Sequence, residues 1–255
     1  MSSFPETKTA SAPTSTNSGA PPGKWPKILP PLTPEQKRIN DDFMAYWHEV
    51  LPRRYSIADR FNHRYVLRHP SGNFRRTLEV GAGLGEHLLY ETLTSEQARE
   101  YVALDSRENM IERLKARFPN IRACLGDCQT RLDFPEGFFD RIIAINVLEH
   151  LPDLPRAVEE CYRLCDKRTG FLSAVIPCEG GLAYGVARRI SAQRIFEQRY
   201  KCPYQLFIGR EHLNLPWEIY EELSRRFEIM ERKFFPFPIP FESCNLFIGL
   251  RLRPK

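Results

Sequence analysis

Ten residues, Leu78 to His87 (LEVGAGLGEH), constrain the fold of this chain more than any other stretch. Thr77, Leu78 and Val80 are apolar or β-branched and read as a buried strand, after which Gly81, Gly83 and Gly85 open a helix carrying Leu88 and Leu89. Strand, glycine turn and helix form the crevice of a doubly wound α/β sheet. Glycines let a ligand approach the backbone, and free N–H groups at the helix start favour an anionic group such as a carboxylate. About twenty residues on, Tyr101 to Leu104 form a second short strand ending in Asp105, followed by a helix with Met110, Ile111, Leu114 and Phe118 on one face. A carboxylate at that strand end can accept both hydroxyls of a ribose, or it can cap the helix at Glu108.

The glycine spacing is G-x-G-x-G with Glu79 just before it, not the G-x-G-x-x-G of nicotinamide enzymes. This EVGAGLG pattern resembles motif I of the class I S-adenosylmethionine-dependent methyltransferases. Further segments resemble the same family in order. Ile121 to Leu125 read as a third strand leading into GDCQT, and FFDRIIAINVLEH (Phe138 to His150) reads as a buried fourth strand whose end is similar to motif IV. The resemblance covers about Arg75 to Pro177 and is looser beyond; it points to the small-molecule, methyltransferase type 11-like branch. It implies S-adenosylmethionine as cofactor. Glu79, Gly81, Ala82 and Gly83 then lie against its methionine part, Asp105 and Ser106 at the ribose, Asp127 and Cys128 beside adenine, and Asn146 on the floor near the methyl. It also implies a Rossmann-like seven-stranded, mostly parallel sheet with an antiparallel last strand, plus N-terminal helices and a helical insertion after strand five.

The 255 residues suit one α/β domain with additions. Residues 1–31 are rich in Ser, Thr, Pro and Gly and read as a disordered tail. Thr33, Pro34 and Gln36 start a helix whose apolar stripe is Ile39, Phe43, Trp47, Val50 and Leu51. A second helix follows from Ile57 to Leu67, with Arg60, Arg64 and Arg68 on a solvated face. By the resemblance, residues 32–70 form a lid over the ligand; packing on the sheet edge is the alternative. Residues 71–255 form the main domain. In it, Asp153 and Pro155 start a helix burying Leu154, Ala157, Val158, Cys161, Leu164 and Cys165; Phe171 to Ile176 make strand five, Trp217 to Phe227 a last helix, and Phe227 to Phe235 and Asn245 to Leu252 two final strands. Residues 178–215 form an insertion at the carboxyl end of strand five, where an acceptor-binding cap belongs. Basic and aromatic side chains alternate there, from Tyr184, Arg188 and Arg189 through Phe196, Arg199, Tyr200, Tyr204 and Phe207 to Arg210. They suit an anionic aromatic or lipid-linked substrate, or nucleic acid; an ordinary helix with solvated arginines is the other reading.

Methyl transfer is an in-line displacement that needs two aligned ligands and, for a hydroxyl acceptor, a base. Glu149 and His150 sit where strand four meets its loop. His150 either takes the proton or shapes the loop by hydrogen bonding. Two ligands are too few for a metal centre, and none is assigned. His212 in REHLN, with Tyr184 and Arg188, is a candidate substrate contact. The strand-four end, Asn146-Val147-Leu148-Glu149, lacks the Asn/Asp-Pro-Pro-aromatic motif of base-amino methyltransferases, so no nucleic-acid substrate is expected. The seven scattered cysteines fit reduced thiols. No apolar run of roughly eighteen residues and no secretory core occurs, so a cytoplasmic protein with at most peripheral membrane contact is expected. The expected activity is methylation of a small or lipid-linked acceptor at oxygen. A catalytically silent S-adenosylmethionine-binding or partner-binding protein has the same fold.

Overall fold

In the computed structural model, which describes residues 24–54, 56–68 and 73–255, each short apolar run becomes a strand of one sheet. The strands are β1 (Thr77–Val80), β2 (Tyr101–Asp105), β3 (Arg122–Leu125), β4 (Arg141–Ile145), β5 (Phe171–Pro177), β6 (Phe227–Phe235) and β7 (Phe247–Pro254). They lie in the order β3-β2-β1-β4-β5-β7-β6. β1 to β5 are parallel, and β7 inserts antiparallel between β5 and β6. Runs such as RIIAI and FLSAVIP are apolar on both faces because a parallel sheet is covered on both sides.

The helices are α1 (Pro34–Arg54), α2 (Ser56–Val66), α3 (Ser95–Arg99), α4 (Glu108–Arg117), α5 (Leu154–Leu164), α6 (Leu182–Arg188), α7 (Arg194–Tyr200), α8 (Gln205–Glu211) and α9 (Pro216–Arg226). Asp153 caps α5 by accepting from the Arg156 N–H, and the buried face of α5, with Cys161, meets Ile219 and Leu223 of α9 in the main core. None of these helices is long and apolar enough to cross a membrane.

Four expectations need correction or refinement. The glycine turn does not open a helix: a single 3-10 turn, His87–Leu89, follows it, and α3 is only five residues long. The cause is a buried charge. Arg141, 2 % exposed, donates to Glu91 at 2.5 Å and to the Val66 carbonyl at 3.1 Å, and His87 Nε2 lies 2.8 Å from the same carboxylate. Drawing Glu91 inward breaks the helical path until Thr94 restarts it with a capping box to Gln97. Second, the tail is ordered earlier than residue 31. Lys27 donates to Glu218 at 2.8 Å and to the Leu213 carbonyl at 2.7 Å, and Trp25 packs on the main core; residues 1–23 lie outside the described residues. Third, α2 lies on the sheet, where the Tyr65 ring fills the space above Gly249, while α1 packs on the insertion through Ile39 and Phe43. The side chains of Trp47, Val50 and Leu51, like residues 69–72, lie outside the described residues. Fourth, most of the insertion's aromatic rings are not free for a ligand. Phe196, Tyr204 and Phe207 close around Phe43, edge to face at 5.0 Å and 4.9 Å for the two phenylalanines, as a separate small core.

Glu79 lies beneath the glycine turn, 3 % exposed, accepting from the Tyr101 hydroxyl at 2.8 Å. Burial raises its pKa to about 8 against the opposing Tyr101 hydrogen bond. The folded protein therefore holds a proton there that the unfolded chain releases, and stability falls as pH rises between about 4.5 and 8. Glu79→Gln should remove that slope, gaining on wild type by at most ~5 kcal/mol over this window in denaturant unfolding. Parallel curves for the two proteins would show that Glu79 ionises normally.

Candidate active site

The crevice lies at the carboxyl ends of β1, β2 and β4. Gly81, Gly83 and Gly85 have φ of 67°, 55° and 76°, a region costly for other residues. At Gly81 there is also no room, since an added Cβ would lie 2.3 Å from a Val147 methyl. Its absence lets the β1 loop touch the β4 loop. The far side is tied just as closely: the Gly83 N–H donates to Asp105 Oδ2 at 2.9 Å and the Ala82 N–H to the Leu104 carbonyl at 2.9 Å. Asp105 is 3 % exposed and also accepts from the backbone and guanidinium of Arg107, both at 3.0 Å to Oδ1. Burial opposes its ionisation, but Arg107 and the Gly83 N–H outweigh that and hold its pKa below the usual value. Ser106 beside it is exposed. Asp127 is half-buried and accepts from both nitrogens of Gln129, at 2.8 Å and 3.0 Å, while Cys128 is buried in the main core.

Across the crevice, Asn146 is a non-glycine residue in the left-handed region, with φ of 50°. Its Oδ1 is buried and has no hydrogen-bond partner. Such a conformation is held only where the surroundings impose it, commonly at functional sites. A 3-10 turn, Leu148–His150, follows. The Glu149 side chain is buried at 1 % exposure with Oε2 unpartnered. Burial raises its pKa to about 7, against the pull of His212.

The insertion returns to this turn and is laced onto it. The Glu149 carbonyl accepts from the N–H groups of Leu213 (2.7 Å) and Asn214 (2.9 Å). The buried Asn214 amide donates to the carbonyls of Leu148 (2.7 Å) and Leu151 (2.8 Å). These bonds bring His212 beside His150, ring centroids 5.1 Å apart. His212 Nδ1 lies 2.7 Å from Glu179 Oε2, and Arg188 forms an ion pair with the other oxygen of Glu179. Burial works against that carboxylate's charge, but His212 and Arg188 outweigh it and keep it ionised. An ionised carboxylate only accepts, so His212 carries a proton on Nδ1. The same logic holds for His150, whose Nδ1 donates to the Glu211 carbonyl. Burial and the nearby His212 depress its pKa, so the ring is neutral. The Tyr184 ring lies 6.2 Å from that of His212.

Tyr184, Arg188, His212, Glu149 and His150 are thus brought together from separate parts of the sequence. Arg188 is not free to receive an anionic substrate, because Glu179 occupies it. Glu179 was legible as an acid just beyond the end of β5, by the same logic that marked Asp105. Asn214 and the Glu211 carbonyl act through backbone contacts that no sequence motif announces.

A family profile described as "Methyltransferase domain" matches residues 78–173. Over 146 residues the chain is 27 % identical to a "Probable S-adenosylmethionine-dependent methyltransferase" of Mycobacterium tuberculosis, covering 57 % of this chain and 48 % of that protein. It is 30 % identical over 149 residues to one from Mycolicibacterium smegmatis, covering 57 % of this chain and 51 % of that protein. The chain therefore spans about half the length of these curated relatives. Among solved structures, the PH0226 protein of Pyrococcus horikoshii shares the fold at a TM-score of 0.58 and 15 % identity, over 83 % of this chain and 99 % of that one. The fold is that of the class I methyltransferases. Residues 78–173 thus match a methyltransferase domain, and the relatives they resemble support S-adenosylmethionine as the cofactor.

Two substitutions separate the ribose acid from its neighbour. Losing a charge-assisted pair of hydrogen bonds in Asp105→Ala should weaken S-adenosylmethionine binding by about 2–3 kcal/mol in calorimetry. The Arg107 side chain is 42 % exposed, so displacing it costs little. Arg107→Ala should change affinity by less than about 1 kcal/mol. Unchanged binding in Asp105→Ala would remove Asp105 from the ribose.

Proposed function

We propose that this protein moves a methyl group from S-adenosylmethionine to an oxygen of a small or lipid-linked acceptor. The observation that carries this reading is the convergence of Glu149, His150 and His212 next to the strained Asn146. The loop that holds them touches the glycine turn through Val147. The crevice residues suit the cofactor: a glycine turn closed to any Cβ at Gly81, a strand-end carboxylate at Asp105 and the unpartnered Asn146 Oδ1. In this reading Glu79, Gly81, Ala82 and Gly83 support the methionine part, Asp105 and Ser106 the ribose, Asp127 and Cys128 the adenine, and Asn146 the floor. When bound, the cofactor supplies a methyl on a positively charged sulfonium.

The chain's own residues do the rest. The site holds the acceptor hydroxyl beside Glu149, His150 and His212, where the neutral His150 ring presents its Nε2 lone pair and His212 and a buried carboxylate lie next to it. Glu179 positions His212, and Arg188 positions Glu179. This cluster takes up the hydroxyl proton, while residues 178–215, braced by α1, cap the acceptor. The exposed Leu182, Val186 and Ile190 recur at every fourth residue along the cap helix beside Arg189 and Arg194. That apolar stripe favours an acceptor with a lipid part.

The test is transfer of labelled methyl from S-adenosylmethionine to a panel of sugars, hydroxylated aromatics and lipid-linked phenols. His212→Ala should lower kcat by ~10²–10⁴-fold while leaving cofactor affinity intact. Transfer only to amines, or cofactor binding with no transfer to any acceptor, would overturn the oxygen-methylating reading.

A further inference from the structure

We infer that Glu149, His150 and His212 together hold a divalent first-row transition-metal ion facing the crevice. One ligand atom from each of the three side chains falls within 4.8 Å of the others. Neighbouring ligands around an ion bound at 2.0–2.2 Å stand roughly 3–3.5 Å apart, so small side-chain adjustments close the set. Two imidazoles and one carboxylate are the donor set of sites that keep further coordination positions open, and imidazole suits zinc, iron, cobalt and nickel rather than magnesium or calcium.

Three independent features support an ion over a plain hydrogen-bonded cluster. First, each ring is already fixed through its other nitrogen. His212 Nδ1 is held by Glu179 at 2.7 Å, and His150 Nδ1 by the Glu211 carbonyl. Carboxylate and carbonyl partners of this kind orient metal-bound histidines and set the tautomer that presents Nε2. Second, the Glu149 side chain is buried and its Oε2 has no hydrogen-bond partner. Its Oε1 is 3.7 Å from His150 Nε2, too far for a hydrogen bond. A buried carboxylate left so takes up either a proton or a cation. Third, Arg188 on the cap is already paired with Glu179 and leaves the cluster uncompensated.

The role of the ion rests on the methyltransferase reading given above. An acceptor hydroxyl coordinated at an open position is bound as its oxyanion, with the proton released to solvent. With the ion in place His212 Nε2 is a ligand, and the metal rather than the imidazole makes the hydroxyl acidic. Acceptors carrying two neighbouring oxygens, which can chelate, are then preferred over lone alcohols.

The experiment uses tag-free full-length protein, stripped with chelator and titrated with Co²⁺ and Zn²⁺, with Mg²⁺ as a control. One equivalent of Co²⁺ should bind and give a visible ligand-field spectrum, which Zn²⁺ displaces and Mg²⁺ does not. His212→Ala and Glu149→Gln should each weaken Co²⁺ binding at least ~100-fold, and Glu179→Gln should weaken it ~10–100-fold through ring orientation. S-adenosylmethionine affinity, measured on each variant, serves as the check that it is folded. Cys244→Ser should leave the spectrum unchanged, since the exposed Cys244 thiol lies outside the cluster. Absence of stoichiometric binding, or Co²⁺ binding that survives His212→Ala in a variant that still binds cofactor, would overturn the metal site. Because the readout is spectroscopic, failure here with cofactor binding intact leaves the methyltransferase reading standing. Metal binding without cofactor binding would do the reverse.

Discussion

Two loops can meet at the centre of this molecule because Gly81 has no side chain. Val147 fills the space where a Cβ would be, so the turn after β1 and the turn after β4 touch at the point where the strand order reverses direction. A crevice at such a switch point needs one wall that approaches closely and one that carries chemistry. The glycine turn is the first wall, fixed to β2 by the Gly83 N–H on Asp105. The turn after Asn146 is the second. Closing the contact with any larger residue at Gly81 would separate the walls.

The second wall is completed from outside the sheet. Segment 211–214 is tied to 148–151 by two backbone N–H groups on the Glu149 carbonyl and by the Asn214 amide on two more carbonyls. These bonds are buried, so they cannot be exchanged for water at little cost. The cap above them has its own aromatic core, shared with Phe43 of α1, and Lys27 ties the chain start to Glu218 and Leu213. The N-terminal segment, the insertion and α9 therefore brace His212 from three directions. Glu179, at the end of β5, meets His212 from the fourth.

Polar groups buried near the crevice divide into two kinds. Arg141, Glu91 and His87 pair with one another beneath the first wall, with Arg141 Nη1 and His87 Nδ1 left over, and the cost of burying them appears as a broken helix after the glycine turn. Glu149 Oε2 and Asn146 Oδ1 on the second wall are left without partners.

The sequence alone determined the sheet. Alternating apolar runs and turns set strand count and helix positions, and the spacing of Gly81, Gly83, Glu79 and Asp105 marked the first wall, because local backbone demands are written in local residues. It misread the helix after the glycines, since Glu91 is drawn inward by Arg141 fifty residues away, and periodicity carries no record of that pairing. It left open whether the insertion's aromatic rings contact a ligand, whereas Phe196, Tyr204 and Phe207 pack on Phe43, more than 150 residues earlier. The meeting of Glu149, His150, His212 and Glu179 was decided only by tertiary structure. Each could be marked in its own segment, but the backbone bonds from Asn214 and Leu213 that bring them into one cluster join parts of the chain whose separation no local pattern encodes.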